Sequence, residues 1–240
     1  DELRNLTGSK LVNKLDEIIV QENINVVQLA SMKLQKEYDG YITYVVPGLA
    51  QDLEKAGAKY VYHAVTAEEN VLKILESGGL SSTMSRISAG IQKPGGASMV
   101  ADMSTGGAGS AFTRLATEKA QKDKKSFNSA SVPGDYRIKM SLDVLNRTDY
   151  YSYTYDNFGR VDNISQSAKS PLDFAKALNR NFGSSNEIMF RNGVDSRYFT
   201  GIVCETKLER DSLLQQCKSR GILDVNGIDI DTFITVGRHL

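Results

Sequence analysis

The sequence predicts an α+β fold, and three observations carry that expectation. Tyr60-Val-Tyr-His-Ala-Val65 is an apolar run of strand length, and a helical pattern follows it up to Gly78-Gly79. Beyond residue 110, several short runs rich in β-branched and aromatic residues are set between turn residues. Residues 9–36, by contrast, repeat apolar side chains at helical spacing.

In chain order, Leu11, Leu15, Ile18 and Ile19 begin a helical stripe that Val26, Val27, Ala30 and Leu34 continue after a break near Asn23–Asn25. Such a stripe reads as core packing. Tyr41–Val46 reads as a short strand, and Pro47 opens a short helix that Gly57 closes. After the strand at Tyr60–Val65, Thr66 and Glu69 form a capping-box pattern, and Val71, Ile74 and Leu75 share one helix face. Residues 81–110 are dominated by Ser, Thr, Gly and Ala. They read as a linker or, preferably, as a loop covering a ligand.

Ala111–Leu115 reads as a strand, Lys119–Lys125 as a solvated charged turn, and Tyr136–Leu145 as an alternating, half-buried strand. Tyr150–Tyr155 is either a strand or an aromatic surface. Ser170 and Pro171 start a helix that Gly183 ends. Glu187–Phe190 and Tyr198–Cys204 read as strands, 207–220 as a helix closed by Gly221, and Thr232–Val236 as a last strand. With no internal repeat and no sharp shift in composition, the expected organisation is an N-terminal helical lobe, 1–57, on a core, 58–240, in one compact unit.

Composition removes several functions. Lys+Arg and Asp+Glu number 29 each, so no global field draws nucleic acid or anionic membrane, although a local patch stays open. Cys204 and Cys217 form no C-x-x-C pair and read as two buried thiols of a reducing compartment, with a single disulfide as the other choice. No run approaches the ~18 apolar residues of a membrane span. The polar start at Asp1 gives no sign of a signal peptide, and the absent Met suggests either a domain cut from something longer, with flanking domains, or a processed product. A cytoplasmic protein, or one delivered into a host cytoplasm, is expected.

His63 and His239 are the only histidines, and no H-E-x-x-H or His/Cys cluster exists, so no metal is expected. Gly96-Ala-Ser-Met-Val100 lacks the final glycine of a nucleophile elbow. There is no G-x-x-x-x-G-K-[ST] loop, and Gly107-Ala-Gly109 lacks the third glycine of a dinucleotide fingerprint. What remains is chemistry that runs on a carboxylate, an arginine, hydroxyls and backbone donors.

Three segments, in order, resemble the ADP-ribosyltransferase superfamily. They are Tyr60-Val-Tyr-His63 with its helix and Gly78-Gly79-Leu80, the Ser/Gly-rich stretch entering Phe112-Thr-Arg114, and Gly183-Ser-Ser-Asn-Glu187-Ile-Met-Phe190 followed by Tyr198–Cys204. The similarity spans roughly residues 58–205 and is nearest to the branch holding DNA-modifying toxins and poly(ADP-ribose) polymerases.

The resemblance implies a split mixed/antiparallel β-sheet core with NAD as co-substrate in a cleft between two sheets. It implies Glu187 as the catalytic carboxylate, His63 on the adenosine ribose, Arg114 on the pyrophosphate, and Ser82, Thr83 and Thr113 as further NAD contacts. Ser185 stands where arginine-modifying members carry Glu or Gln, which argues against that target. Tyr136, Tyr150 and Tyr151 are the candidates to stack on nicotinamide, and Arg86 or Arg114 could replace a first-strand arginine.

The chemistry is coherent by itself. Breaking the nicotinamide–ribose bond builds positive charge on the ribose, and a fixed carboxylate stabilises it. Each residue also has a structural reading: Glu187 as a solvent-facing strand end, His63 as a core histidine, Arg114 as an edge-strand arginine, and Ser81, Ser82 and Thr83 as a helix-exit turn. The expected function is a mono-ADP-ribosyltransferase of a toxin or effector, acting on an acceptor protein or nucleic acid. The alternatives are an NAD glycohydrolase and a non-catalytic module that binds ADP-ribose or a partner, for which the Tyr150–Tyr155 segment would serve as a surface.

Overall fold

The computed structural model describes residues 48–90, 107–117, 135–147, 149–153 and 186–237, together with residues 10, 13, 14 and 172. The helices are α1 (Leu49–Lys55), α2 (Glu68–Glu76), α3 (Thr83–Ser88), α4 (Lys207–Ser219) and α5 (Ile230–Phe233). The strands are β1 (Ala58–Val65), β2 (Gly79–Leu80), β3 (Ala111–Thr117), β4 (Tyr136–Met140), β5 (Tyr150–Tyr153), β6 (Glu187–Phe190), β7 (Val194–Asp195), β8 (Phe199–Cys204), β9 (Asp224–Val225), β10 (Ile228–Asp229) and β11 (Ile234–Val236). Seven of them form one sheet in the order β11-β8-β4-β1-β3-β6-β5. Its ladders are antiparallel except where β11 joins β8. The fold is α+β with a large, mostly antiparallel sheet.

Strand alternation gives the sheet two faces. One face presents Val61, Val65, Ile138, Met140, Ile188, Phe190 and Ile202 to a core closed by Leu49 and Leu53 of α1, Val71 and Leu72 of α2, and Leu213 of α4. The helix ending at Lys55 therefore shares the core of residues 58–237 rather than standing off from it. The other face buries Tyr151, Tyr153 and Met189 in one cluster and Tyr62 and Ala116 in another.

Several elements differ from the sequence reading. Thr66 and Glu69 form no capping box, because α2 starts one residue later, with Ala67 at its N-cap. Glu69 instead meets Arg220, the C-cap of α4, at 2.7 Å, and Glu76, two turns along the same face, meets it at 3.1 Å. The capping box lies at Thr206 and Glu209, where each side chain bonds the other's backbone N–H. The strand expected to run from Tyr136 to Leu145 stops at Met140, since Ser141 caps a 3₁₀ turn over Leu142–Asn146. It is not half-buried either: Arg137 is fully enclosed.

Tyr150, Tyr151 and Tyr153 are all 0% exposed, so these three rings offer no aromatic surface, and Tyr155 lies outside the described residues. The last expected strand is split, with α5 taking Ile230–Phe233 and β11 only Ile234–Val236. Cys204 and Cys217 are buried free thiols, which burial pushes up to about 12 and about 11, and no disulfide joins them. Among the described residues no helix is long and apolar enough to cross a membrane.

Gly78-Gly79, read as a helix stop, has a second task. Gly79 opens β2, which pairs with β7, and a Cβ there would sit 2.3 Å from the Val194 carbonyl oxygen. The Leu11–Leu34 stripe, the Tyr41–Val46 strand, the Lys119–Lys125 turn, most of the helix after Ser170 and the Gly183–Ser185 turn lie outside the described residues.

Candidate functional site

The site forms where β3 changes partner. Its C-terminal half pairs with β1 as far as Tyr62↔Arg114, and its N-terminal half pairs with β6 from Thr113↔Ile188 onward. Beyond that point β1 continues from His63 to Val65 paired with β4. A side-chain bond spans the gap, His63 Nδ1 to the Phe112 carbonyl at 2.6 Å. A cavity of about 140 Å³ opens beside it, lined by Tyr62, His63, Phe112, Thr113, Arg114 and Glu187.

Glu187 opens β6 opposite Tyr153 and is 6% exposed, which removes the reading of a solvent-facing strand end. Its entry into the strand is fixed by Asn186. The Asn186 side chain accepts from Leu115 N at 2.8 Å and donates to Leu115 O at 2.9 Å, standing in for one more residue pair of the ladder. Arg114 donates to the Asn186 carbonyl at 2.9 Å, the peptide oxygen just before Glu187. A cation and a carboxylate thus share one small, preorganised cavity.

His63 is held neutral near pH 7. Burial lowers its pKa to about 4, the bond to Phe112 O opposes this, and the Arg86 and Arg137 charges lower it further. Since the Phe112 carbonyl only accepts, Nδ1 carries the proton and Nε2 is left as an acceptor suited to a hydroxyl.

His63 also borders a second cavity of about 420 Å³, whose polar lining includes Asn70, Lys73, Ser77, Ser81 and Arg86. Arg86 is fastened by its own neighbourhood: it donates to Ser81 O at 2.5 Å and to Thr83 Oγ1 at 3.2 Å. Burial lowers its pKa, yet a guanidinium stays charged.

The sequence-derived residues thus separate. Glu187, His63, Arg114 and Thr113 share the small cavity. The Thr113 hydroxyl hydrogen is already given to Ile188 O at 2.9 Å, so only its lone pairs remain for a ligand. Ser82 and Thr83 line neither cavity. Ser82 caps α3 by accepting from Ser85 N, and Thr83 positions Arg86.

None of the three tyrosines weighed for stacking lines the small cavity. Tyr136 points its hydroxyl at Glu68, Tyr150 bonds Leu145 O and packs on Phe190, and Tyr151 is wholly enclosed beside Met189. Tyr62 is the tyrosine that does line it. Its only signal in the sequence was its place next to His63.

No protein-family model matches the chain, and no curated protein matches it significantly.

Proposed function

We propose that the protein cleaves the nicotinamide–ribose bond of NAD and transfers ADP-ribose to an acceptor. The observation that carries this reading is the joint cavity. His63 sits between a small chamber holding Glu187 and Arg114 and a larger one holding Arg86 and Lys73. In this reading the nicotinamide end enters the small chamber against Tyr62, and a ribose hydroxyl donates to His63 Nε2. The pyrophosphate meets Arg86 in the larger chamber, in the role otherwise expected of Arg114.

The ribose C1′–N bond then breaks with its electron pair leaving on nicotinamide. Glu187 stabilises the cation that remains, and an acceptor heteroatom supplies the new bond to C1′ and loses its proton. The non-catalytic reading loses three of the four tyrosines of its partner surface, because Tyr150, Tyr151 and Tyr153 are buried.

The test is incubation with NAD labelled in its adenylate part, with nicotinamide release and label transfer followed together. Release with label on a protein or nucleic acid supports the transferase. Release with free ADP-ribose only is the glycohydrolase outcome, and no release overturns both.

A further inference from the structure

A third cavity, of about 410 Å³, lies between α1, the start of β1 and the end of β4, where Lys59, Tyr60, Lys139, Ser141, Asp143 and Glu54 meet. It stands apart from the two chambers above and shares no residue with them. Lys139 is paired in register with Tyr62, which is paired in turn with Arg114, so it lies on the face of the sheet that Tyr62 and Arg114 share. Three strand spacings, about 14 Å, separate β4 from β6.

The cavity joins three recognition elements. The Lys139 ammonium is half-buried and rests 4.6 Å from the centroid of the Tyr60 ring, and no carboxylate pairs with it among the described residues. A partly desolvated cation of this kind favours an anion from solvent. Burial lowers its pKa, which agrees with that desolvation. The Tyr60 ring adds a flat apolar wall. Asp143, held by the Ser141 hydroxyl at 2.9 Å, and Glu54 add acceptors to the same lining. A bare phosphate or a carboxylate would satisfy the cation but leave the ring and these two acceptors unused. A ligand that carries an anion, a planar ring and N–H donors uses all three.

We propose that this cavity binds one nucleotide unit, its phosphate on Lys139, its base on Tyr60 and its N–H edge toward Asp143. The volume suits a ligand of that size. The site does not depend on the NAD reading, since none of its residues belongs to the two NAD chambers.

The test is calorimetric titration of the full chain with cytidine 5′-monophosphate, oligodeoxycytidylate and inorganic phosphate. Lys139→Gln is expected to weaken nucleotide binding on the order of tenfold or more, the loss of one charge-assisted contact. Lys139→Arg is expected to retain most of it, and Lys218→Gln, at the ion pair of α4 with Asp231 and outside all three cavities, to leave it unchanged. Tighter binding of the oligonucleotide identifies the unit as part of a nucleic-acid strand, and binding of the mononucleotide alone identifies a free nucleotide. Either supports the site. Binding lost in Arg86→Gln but kept in Lys139→Gln overturns it, as does phosphate binding as tightly as nucleotide, or no binding at all. Unfolding midpoints measured in parallel separate lost binding from lost fold.

Discussion

His63 gives its Nδ1 proton to the Phe112 carbonyl, and enclosure holds the ring neutral with its pKa near 4. A base whose folded pKa lies below its unfolded value of about 6.5 takes up its proton first in the unfolded chain as the pH falls. Its neutral form therefore favours the native state above pH 6.5, and that advantage is lost between about 6.5 and 4, amounting to about 3 kcal/mol in all. Urea unfolding at pH 7 and pH 4.5 checks this, with His63→Gln expected to show a flatter pH dependence than the wild type. An equal slope in both would place the acid sensitivity elsewhere. The same tautomer leaves Nε2 as an acceptor.

At the scale of elements, the site rests on how β3 is shared between β1 and β6, and Asn186 is the residue that joins the two ladders. Asn186→Ala leaves the buried Leu115 N–H and C=O without these partners. The expected cost is about 1–3 kcal/mol of stability, with a further fall in NAD cleavage because Glu187 loses its fixed entry into β6. Chemical denaturation and single-turnover rates check the two effects separately; an unchanged rate would mean that Glu187 is positioned by other contacts.

This dependence also explains what could be read early. Strands with dense apolar patterns, such as Tyr60–Val65 and Glu187–Phe190, were legible, as was the helix from Lys207 to Gly221. The β2–β7 pair was not, because two-residue strands carry no periodicity and Gly79 and Gly193 read as turn residues. Thr66-x-x-Glu69 and Thr206-x-x-Glu209 carry the same capping pattern, and only the second forms the box, since local sequence does not show which carboxylate a distant arginine takes. Tyr136–Leu145 alternates in sequence, yet burial on both sides of the sheet and the Ser141 cap override that pattern.

On the scale of the whole molecule, one sheet with both faces covered brings together residues more than a hundred positions apart, from His63 to Glu187. Glu187, His63 and Arg114 each stand in a short run that reads as a strand, and the sheet brings them to one cavity. Arg86 acquired its place only through α3, whose Ser82 cap turns the helix so that the guanidinium reaches Ser81 O and the large cavity. Tyr62 became the candidate ring only when Tyr136, Tyr150 and Tyr151 proved to lie off the small cavity.

The central claim is that Glu187 acts on the transition state rather than on the folded or bound state. Its most direct test is single-turnover nicotinamide release by the wild type and Glu187→Gln, with the Kd for NAD measured on both. The expected result is a similar Kd and a rate lower by about 10²–10³-fold, the effect of removing one preorganised electrostatic group. Equal rates in the two proteins, or a loss confined to Kd, would contradict it.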